Sequence, residues 1–349
     1  AAFPNPVHLP TRILIDGELR KASNGRTFET INPGNEEVLA EVPESSEDDV
    51  NEAVQAASKA LEGPWNKMAP RERGAALYRL ADLIEANAEE LAVLESLDNG
   101  KTIAQSRSVD IPASATMLRY FAGWADKLGG REIPIGPDHL CYTRMEPVGV
   151  VGAISPWNLP MIGIAAKVGP ALACGNTVVY KPAEQTPLTS LRFAELAVEA
   201  QLPRGVLNIL SGFGESTGAA IVAHPLVDKV SFTGSEAVGK HVQKTAADTL
   251  KRVTLELGGK NPSIVFGDAD LELAVETVHN GLFWNKAEAC ASNTRIFVHE
   301  SVFDEFVERA VARVREWHVG HPFDDSTCHG PLVSEEQFNK VSEYIAIGK

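Results

Sequence analysis

Residues 177–210 read TVVYKPAEQTPLTSLRFAELAVEAQLPRGVLNIL. The run TVVYK is mostly apolar, LTSLRFAELAVEAQ has a helical pattern, and VLNIL is a second short apolar run. Strand, helix and strand at this spacing predict a crossover between two parallel strands. The same alternation begins after residue 147, where VGVVGAIS, KVSFTG, PSIVF and TRIFV predict further strands with helical segments between them. The sequence therefore predicts an α/β fold with a parallel sheet and helices on both faces.

The first part of the chain has a different pattern, a predicted hairpin followed by predicted helices. RILIDGEL alternates around an Asp-Gly turn and predicts a hairpin. SSEDDVNEAVQAASKALEGP predicts a helix that Ser45 or Ser46 caps and that Gly-Pro ends. The longer stretch PRERGAALYRLADLIEANAEELAVLESLDNG predicts more helix, with a break near Asn87.

The composition excludes several classes of function. The chain has 349 residues, of which 44% are hydrophobic, and a formal net charge of −15 at pH 7. So negative a chain repels phosphate backbones and anionic lipids, so neither nucleic acid nor a membrane is expected as a partner. No apolar run is long enough to span a bilayer, and the opening AAFPNPVHLPTR contains no secretory signal. We therefore expect a cytoplasmic protein, or one of an organelle matrix if a targeting segment has been removed.

The four cysteines, Cys141, Cys174, Cys290 and Cys328, have spacings that fit no metal or redox motif, so no metal site is predicted. A chain of this length needs no disulfide, and scattered thiols suit a reducing compartment. Cys141, Cys174 and Cys328 are interpreted as small buried residues. Cys290 lies in NKAEACASNTR, residues 285–295, and could be a nucleophile, a metal ligand, half of a disulfide or a core residue.

Four polar segments, SPWN, KPAE, GFGE and FTGS, each follow a predicted strand. Because the carboxyl ends of parallel strands lie along one edge of a sheet, these segments are predicted to share one rim, where ligands bind in such folds. Gly212, Gly214 and Gly218 form G-x-G-x-x-x-G, one residue longer than the usual dinucleotide fingerprint. Alone this pattern is more typical of a flexible turn, but the amides of a helix that follows would attract a phosphate. Ser235 precedes the next helix in the same way, and the two turns together favour a nucleotide.

Lys181 ends a predicted strand and Glu184 follows three residues later. Together they are suited to bind the two hydroxyls of a ribose. A carboxylate there would repel a 2′-phosphate, which favours NAD over NADP. The alternative is a solvated ion pair.

Two side chains at strand ends are suited to catalysis. Glu256 lies between two leucines in LELGGK, and an apolar setting would raise its pKa and suit a general base. The alternative is a partly buried glutamate bonded to backbone amides. Asn158 could donate to a developing oxyanion, or it could simply close a turn before Pro160.

The segment GGREIPIGPDHLCYTRMEPVG, residues 129–149, differs from its surroundings. HLCYTRMEP is interpreted as an extended strand that leaves the body of the fold. An exposed strand edge invites pairing with another chain, so we expect a contact in a homo-oligomer, a dimer or a tetramer. An ordinary surface hairpin is the alternative.

In order and separation, SPWNLP, KPAEQTP, FTGS, LELGGK and the Cys290 stretch resemble the NAD(P)-dependent aldehyde dehydrogenases, in particular the broad cytosolic, mitochondrial and betaine-aldehyde-like group. The resemblance covers the chain from about ILIDGE to its end. It implies a Rossmann-like NAD-binding sheet formed by residues 1–128 and 148–256. Residues 129–147 would form an oligomerisation arm, and residues 257–349 the first part of a second, catalytic α/β domain.

The resemblance also implies a chemistry and assigns its residues. Cys290 would attack an aldehyde to give a thiohemiacetal, and hydride transfer to NAD would leave a thioester that water activated by Glu256 hydrolyses to an acid. Asn158 and the amide of Cys290 would hold the oxyanion. The cofactor would be NAD, with NADP less suited, and it would be bound by Ser155, Trp157, Lys181, Glu184, Gly214, Gly218, Ser235 and Leu257.

Two departures from the family's pattern stand out. Relatives usually have Asn-Gln-Gly-Gln/Glu-x-Cys before the nucleophile, whereas residues 285–290 read NKAEAC. If that glycine has positive φ, Ala287 would strain the loop by roughly 1 kcal/mol or slightly more. Relatives also continue beyond the point where this chain ends, with a Glu-x-Phe-Gly-Pro motif and a further strand. We therefore expect part of a longer enzyme or a short form that completes itself by association, and a non-catalytic homologue is the alternative function.

Overall fold

The structure is a computed structural model that describes residues 7–349. Its centre is a seven-stranded sheet, accompanied by three two-stranded sheets. The strands are β1 (Ile13–Ile15), β2 (Glu18–Arg20), β3 (Thr27–Ile31), β4 (Val38–Pro43), β5 (Glu132–Ile133), β6 (Cys141–Tyr142), β7 (Val150–Ile154), β8 (Thr177–Lys181), β9 (Leu207–Ile209), β10 (Lys229–Gly234), β11 (Arg252–Leu257), β12 (Pro262–Val265) and β13 (Arg295–Val298).

The large sheet has the order β11-β10-β7-β8-β9-β1-β2. The strands from β11 to β9 are parallel, and the hairpin of β1 and β2 extends the sheet in antiparallel register, with Leu14 opposite Ile209. All residues of β7 and β8 are buried. Helices cover both faces of these strands, which explains why their sequences are continuously apolar instead of alternating. The predicted α/β fold and the predicted hairpin are confirmed.

The helices begin and end close to the predicted signals. Ser46 Oγ accepts from Asp49 N, and the Asp49 carboxylate accepts from Ser46 N, so a capping box starts the first helix. The long helical stretch is broken at Asn87, as predicted. The helices are α1 (Glu47–Glu62), α2 (Pro64–Lys67), α3 (Pro70–Ala86), α4 (Ala88–Asn99), α5 (Ile103–Gln105), α6 (Ile111–Trp124), α7 (Pro160–Ala173), α8 (Leu188–Glu199), α9 (Ala219–Ala223), α10 (Glu236–Ala247), α11 (Leu271–Phe283), α12 (Phe303–Arg315) and α13 (Glu335–Gly348).

Helix α4 is a buried support that connects several elements. Its Asp98 and Asn99 side chains are buried. Asp98 accepts from Thr30 Oγ1 and from Leu188 N, at 2.7 Å each, and burial raises the pKa of Asp98 to about 8. Asn99 Nδ2 donates to the carbonyl of Trp157 at 2.8 Å. α4 therefore holds β3, the start of α8 and the loop after β7 in fixed relative positions.

A small second core lies in the last part of the chain. It is formed by Val265, Val275, Val278 and Phe306 and is separate from the main core. The strand β12 and the helices α11 and α12 supply these residues, and Val298 of the parallel strand β13 packs against them. This arrangement matches the second α/β unit that the sequence predicts.

The strands β5 and β6 form an antiparallel ribbon. Its apolar side chains are largely exposed, among them Leu140 at 76% and Tyr142 at 67%. Of the predicted extended strand HLCYTRMEP, only Cys141–Tyr142 is a strand, and it pairs with β5 in a hairpin.

Two details of the prediction are wrong. The helix after the glycine turn is short, because a π-helical turn, Gly214–Gly218, leads into only five residues of α9. His224 precedes a proline and takes an extended conformation, which ends the helix. Cys328 is exposed because it lies in an irregular turn, and Cys141 and Cys174 are only half-buried.

Within residues 7–349, no helix is long and apolar enough to cross a bilayer.

Candidate active site

The polar segments after the parallel strands lie along the carboxyl edge of the sheet, as predicted. Ile154 pairs with Lys181 on one side and with Phe232 on the other. The Ser155 amide donates to the Lys181 carbonyl at 3.1 Å. A β-carbon on Gly218 would lie 3.6 Å from Lys181 Cδ. The structure therefore brings Ser155, Lys181 and Gly218 together.

Lys181 and Glu184 form an ion pair of unequal exposure. The side chain of Lys181 is 2% exposed and that of Glu184 is 31% exposed. Lys181 Nζ donates to Glu184 Oε2 at 3.0 Å and to the Pro182 carbonyl at 2.8 Å. Burial lowers the pKa of Lys181, and the Glu184 charge opposes that shift. A solvated pair is therefore the wrong interpretation for the lysine, while the Glu184 carboxylate remains accessible to a ligand.

The glycine turn and the start of α10 border the same edge. Gly214 is exposed, and a β-carbon there would meet nothing within 4 Å, whereas Gly218 is buried. Ser235 is exposed, and its Oγ caps α10 by accepting from Val238 N at 3.4 Å. Leu257 is half-buried and packs against α10. Gly214 therefore borders open space, and Ser235 lies at a helix N-terminus, where the first amides have no partner within the helix.

A groove of about 880 Å³ runs beside Glu184. Phe213, whose ring centroid lies 5.0 Å from that of Phe28, forms part of its wall. Residues 331–335 and Phe338 also line it. The volume is sufficient for a large organic ligand.

Cys290 is exposed in the segment between α11 and β13. Asn261 Nδ2 donates to the carbonyl of Cys290 at 2.7 Å, which joins this segment to the loop after β11. Asn158 Nδ2 donates to the carbonyl of Glu288 at 2.7 Å, which joins it to the loop after β7. An amide NH₂ has two hydrogens, so Asn158 keeps one for a ligand oxygen. The Cys290 segment is therefore bonded to the Asn158 loop and to the loop that follows β11, the strand that carries Glu256.

The backbone before Cys290 is strained. Asn285, Lys286 and Ala287 have φ of 51°, 62° and 61°, in the left-handed region. For residues other than glycine, this region costs roughly 1–2 kcal/mol each, with less for asparagine. The expectation that Ala287 occupies a position suited to glycine is confirmed.

Replacing Ala287 with glycine removes one of these penalties. Ala287→Gly is expected to raise the free energy of unfolding by up to about 1 kcal/mol, since the relief of strain exceeds the added freedom of the unfolded chain. Ala289 lacks positive φ, so Ala289→Gly is the matched control and is expected to lower the free energy of unfolding. Chemical denaturation of both variants tests this, and an equal loss of stability in both would contradict it.

Lys286 and Glu288 form a buried ion pair in the same loop. Lys286 Nζ lies 2.9 Å from Glu288 Oε2, and the two side chains are 2% and 7% exposed. Burial lowers the pKa of Lys286 to about 8, an effect that Glu288 opposes. Burial raises the pKa of Glu288, an effect that Lys286 opposes. The sequence showed the lysine in NKAEAC, but its burial depends on contacts that are distant in the chain.

Glu256 differs from its prediction. It is exposed, whereas Leu255 and Leu257 are half-buried, because successive side chains of β11 point to opposite faces of the sheet. The leucines therefore do not surround the carboxylate, and the predicted apolar setting is wrong. The charges of Lys167, on α7, and Glu256 attract each other. Lys167 Nζ donates to Ser231 Oγ at 3.0 Å. Burial lowers the pKa of Lys167 to about 8.

Sequence reasoning missed Lys167 and Asn261 as site residues. Lys167 is the one charged residue in the apolar helix MIGIAAKVGPALA, a signal that could have identified it. Asn261 follows directly on LELGGK, but nothing in that pattern indicates that its amide reaches the Cys290 carbonyl.

Comparison with known proteins places this geometry in context. The model of the aldehyde dehydrogenase family matches residues 20–349. The chain is 51% identical to a mitochondrial aldehyde dehydrogenase of Rattus norvegicus, over 100% of this chain and 69% of the relative. It is 50% identical to a cytosolic aldehyde dehydrogenase 1 of Elephantulus edwardii, over 97% of this chain and 68% of the relative. The NAD⁺ complex of an aldehyde dehydrogenase from Bacillus cereus superimposes with a TM-score of 0.95 at 47% identity, over 96% of this chain and 69% of that one.

Proposed function

This chain belongs to the aldehyde dehydrogenase family, and we propose that it oxidises an aldehyde to a carboxylic acid with NAD, through a covalent intermediate on Cys290. Family membership supports NAD-dependent aldehyde oxidation in general. One observation supports the residue assignment most strongly: the exposed Cys290 lies in a loop that is bonded to the Asn158 loop and to the loop that follows Glu256.

Cys290 acts as the nucleophile. Its thiol loses its proton to solvent, and the thiolate forms a C–S bond to the aldehyde carbon. The carbonyl oxygen becomes an oxyanion, which the free hydrogen of the Asn158 amide and the Cys290 backbone amide stabilise. NAD, held by Lys181, Glu184 and Ser235, would supply the hydride acceptor, so that oxidation of this carbon leaves a thioester to Cys290.

Glu256 acts as the general base of the second half-reaction. It takes a proton from water, whose oxygen attacks the thioester carbonyl, and the C–S bond breaks. The Cys290 sulfur leaves and the carboxylic acid is released. The exposure of Glu256 gives water direct access to the carboxylate.

The residues along the carboxyl edge fit a dinucleotide. Glu184 and Lys181 would bind the adenosine ribose, and Ser235 at the start of α10 would face the pyrophosphate. Gly214 and Gly218 would lie near the adenine. Ser155, Trp157 and Leu257 would complete the site, with Trp157 beside the nicotinamide. The open space at Gly214 and the accessible Glu184 carboxylate support this assignment.

We further propose the division into domains that the sequence predicts, with residues 1–128 and 148–256 binding NAD and residues 257–349 belonging to the catalytic domain. The separate small core of the last segment supports it. The exposed apolar ribbon of residues 129–147 is proposed as the contact in a homo-oligomer. A cytoplasmic or organelle-matrix location agrees with the cytosolic and mitochondrial relatives.

Formation of NADH by the protein tests the proposed function. With NAD and a panel of aliphatic, aromatic and amino aldehydes, at least one class is expected to be oxidised. NAD should be preferred over NADP by about tenfold or more in kcat/KM, because Glu184 would face the 2′-phosphate. NAD binding without turnover of any aldehyde would contradict the proposal and favour a non-catalytic homologue.

A further inference from the structure

We infer that Lys286 is a positioning residue: its buried ammonium holds the strained loop in the conformation that presents Cys290. The inference rests on the proposed function, since it takes Cys290 as the reacting group. Its support comes from three sets of contacts within the described residues.

The first is the set of acceptors around the ammonium. Lys286 Nζ donates to the carbonyl of Asn99 at 2.8 Å and to the carbonyl of Pro331 at 2.9 Å, and it lies 2.9 Å from Glu288 Oε2. An ammonium has three hydrogens, and three oxygens surround this one. Lys286 therefore joins its own loop to the end of α4 and to the segment before α13.

The second is the strained backbone. Three successive residues, Asn285 to Ala287, have positive φ although none is a glycine. Such a run persists only where surrounding contacts outweigh its cost. Ala287 has only a methyl side chain, so the side chains of Asn285 and Lys286 anchor these three residues.

The third is the anchoring of Asn285, which complements that of Lys286. Asn285 is 1% exposed. It accepts from Gln105 Nε2 at 2.8 Å and donates to the carbonyls of Asn158 at 3.0 Å and Glu288 at 3.1 Å. Asn285 thus fixes the loop to the Asn158 segment, and Lys286 fixes it to α4.

These contacts form a single connected path to the reacting groups. Asn99, whose carbonyl accepts from Lys286, donates through its own side chain to the Trp157 carbonyl, one residue before Asn158. Glu288 lies two residues before Cys290, and its carbonyl accepts from the Asn158 side chain. Lys286 is therefore placed to hold the thiol and the proposed oxyanion donor in register.

The test is a set of variants that includes relief of the strain. Lys286→Met removes the ammonium and keeps much of the side-chain volume. Lys286→Met with Ala287→Gly removes the ammonium and part of the strain that it counteracts. Lys286→Gln retains an NH₂ group with two hydrogens to donate and serves where the methionine variant does not fold. Lys251→Met is the matched control, because Lys251 is also buried and donates to two carbonyls, those of Val222 and His224, at 2.7 Å each.

Hydrogen exchange of residues 284–292 is the readout that does not depend on activity. Lys286→Met is expected to raise hydrogen exchange in this segment by about tenfold or more and to leave hydrogen exchange in the seven-stranded sheet unchanged. Adding Ala287→Gly should recover most of that protection, and Lys286→Gln should lie between Lys286→Met and the unsubstituted protein. kcat should fall by about 10- to 100-fold in Lys286→Met, with KM for NAD within about twofold.

Two results would overturn the inference. One is exchange in residues 284–292 that rises no more in Lys286→Met than in Lys251→Met. The other is a change in the hydrogen exchange of residues 284–292 on Ala287→Gly that is the same with and without Lys286. Independent contributions add, whereas coupled ones do not. Failure of the proposed function would appear separately, as an unsubstituted protein that oxidises no aldehyde while the exchange pattern still responds.

Discussion

Cys290→Ala is expected to lower kcat for aldehyde oxidation by at least about 10⁴-fold, because alanine cannot form the C–S bond on which both half-reactions depend. The side chain is exposed, so its removal should change the free energy of unfolding by less than about 0.5 kcal/mol. NAD binding should persist, because the proposed cofactor residues lie elsewhere along the sheet edge. Steady-state kinetics, denaturation and NAD titration measure the three expectations.

Cys328→Ala is the matched control for this variant. Cys328 is the other exposed cysteine of the described chain, and its sulfur lies 3.9 Å from the carbonyl of Ser326, outside the proposed site. It is expected to leave kcat unchanged. Equal activity of both variants would show that Cys290 is not the nucleophile.

Glu256→Gln is expected to lower the steady-state rate by about 10²- to 10⁴-fold, the range typical of the loss of a general base. The amide cannot take a proton from water, so the thioester should accumulate. The first turnover depends less on the base, and a burst of about one NADH per chain should therefore precede a slow steady state. Rapid mixing with NAD and aldehyde separates the two phases.

Glu18→Gln is the control for the base. Glu18 is also exposed on an edge strand of the large sheet, β2, at the opposite end from β11. It pairs with Arg204 on the surface, and such pairs contribute little to stability. This variant should keep the steady-state rate, and a similar loss in both variants would contradict a specific role for Glu256.

The fold was predictable because its signals are local. The capping pattern at Ser46 starts α1, and short apolar runs alternate with helical patterns along the parallel sheet. The rim of polar segments follows from that alternation, because parallel strands end at one edge. The positive φ of Ala287 was predictable from the family's glycine at that position.

Other features depend on which way a side chain points or on distant contacts. Successive side chains of a strand point to opposite faces of the sheet, so Glu256 points away from the face that Leu255 and Leu257 share. The surroundings of Lys286 come from Asn99 and Pro331, which are 187 and 45 positions away along the chain. No local pattern predicts such contacts, so the support of the nucleophile loop becomes visible only in the structure.

The position of the acyl group shows directly whether Cys290 is the nucleophile. Glu256→Gln would be mixed with NAD and an aldehyde that the protein oxidises, quenched in acid, digested and examined by mass spectrometry. About one acyl group per chain is expected on the peptide that contains Cys290, in step with the burst of NADH. A burst of NADH with no acyl group on that peptide, or with the group on another cysteine, would contradict it.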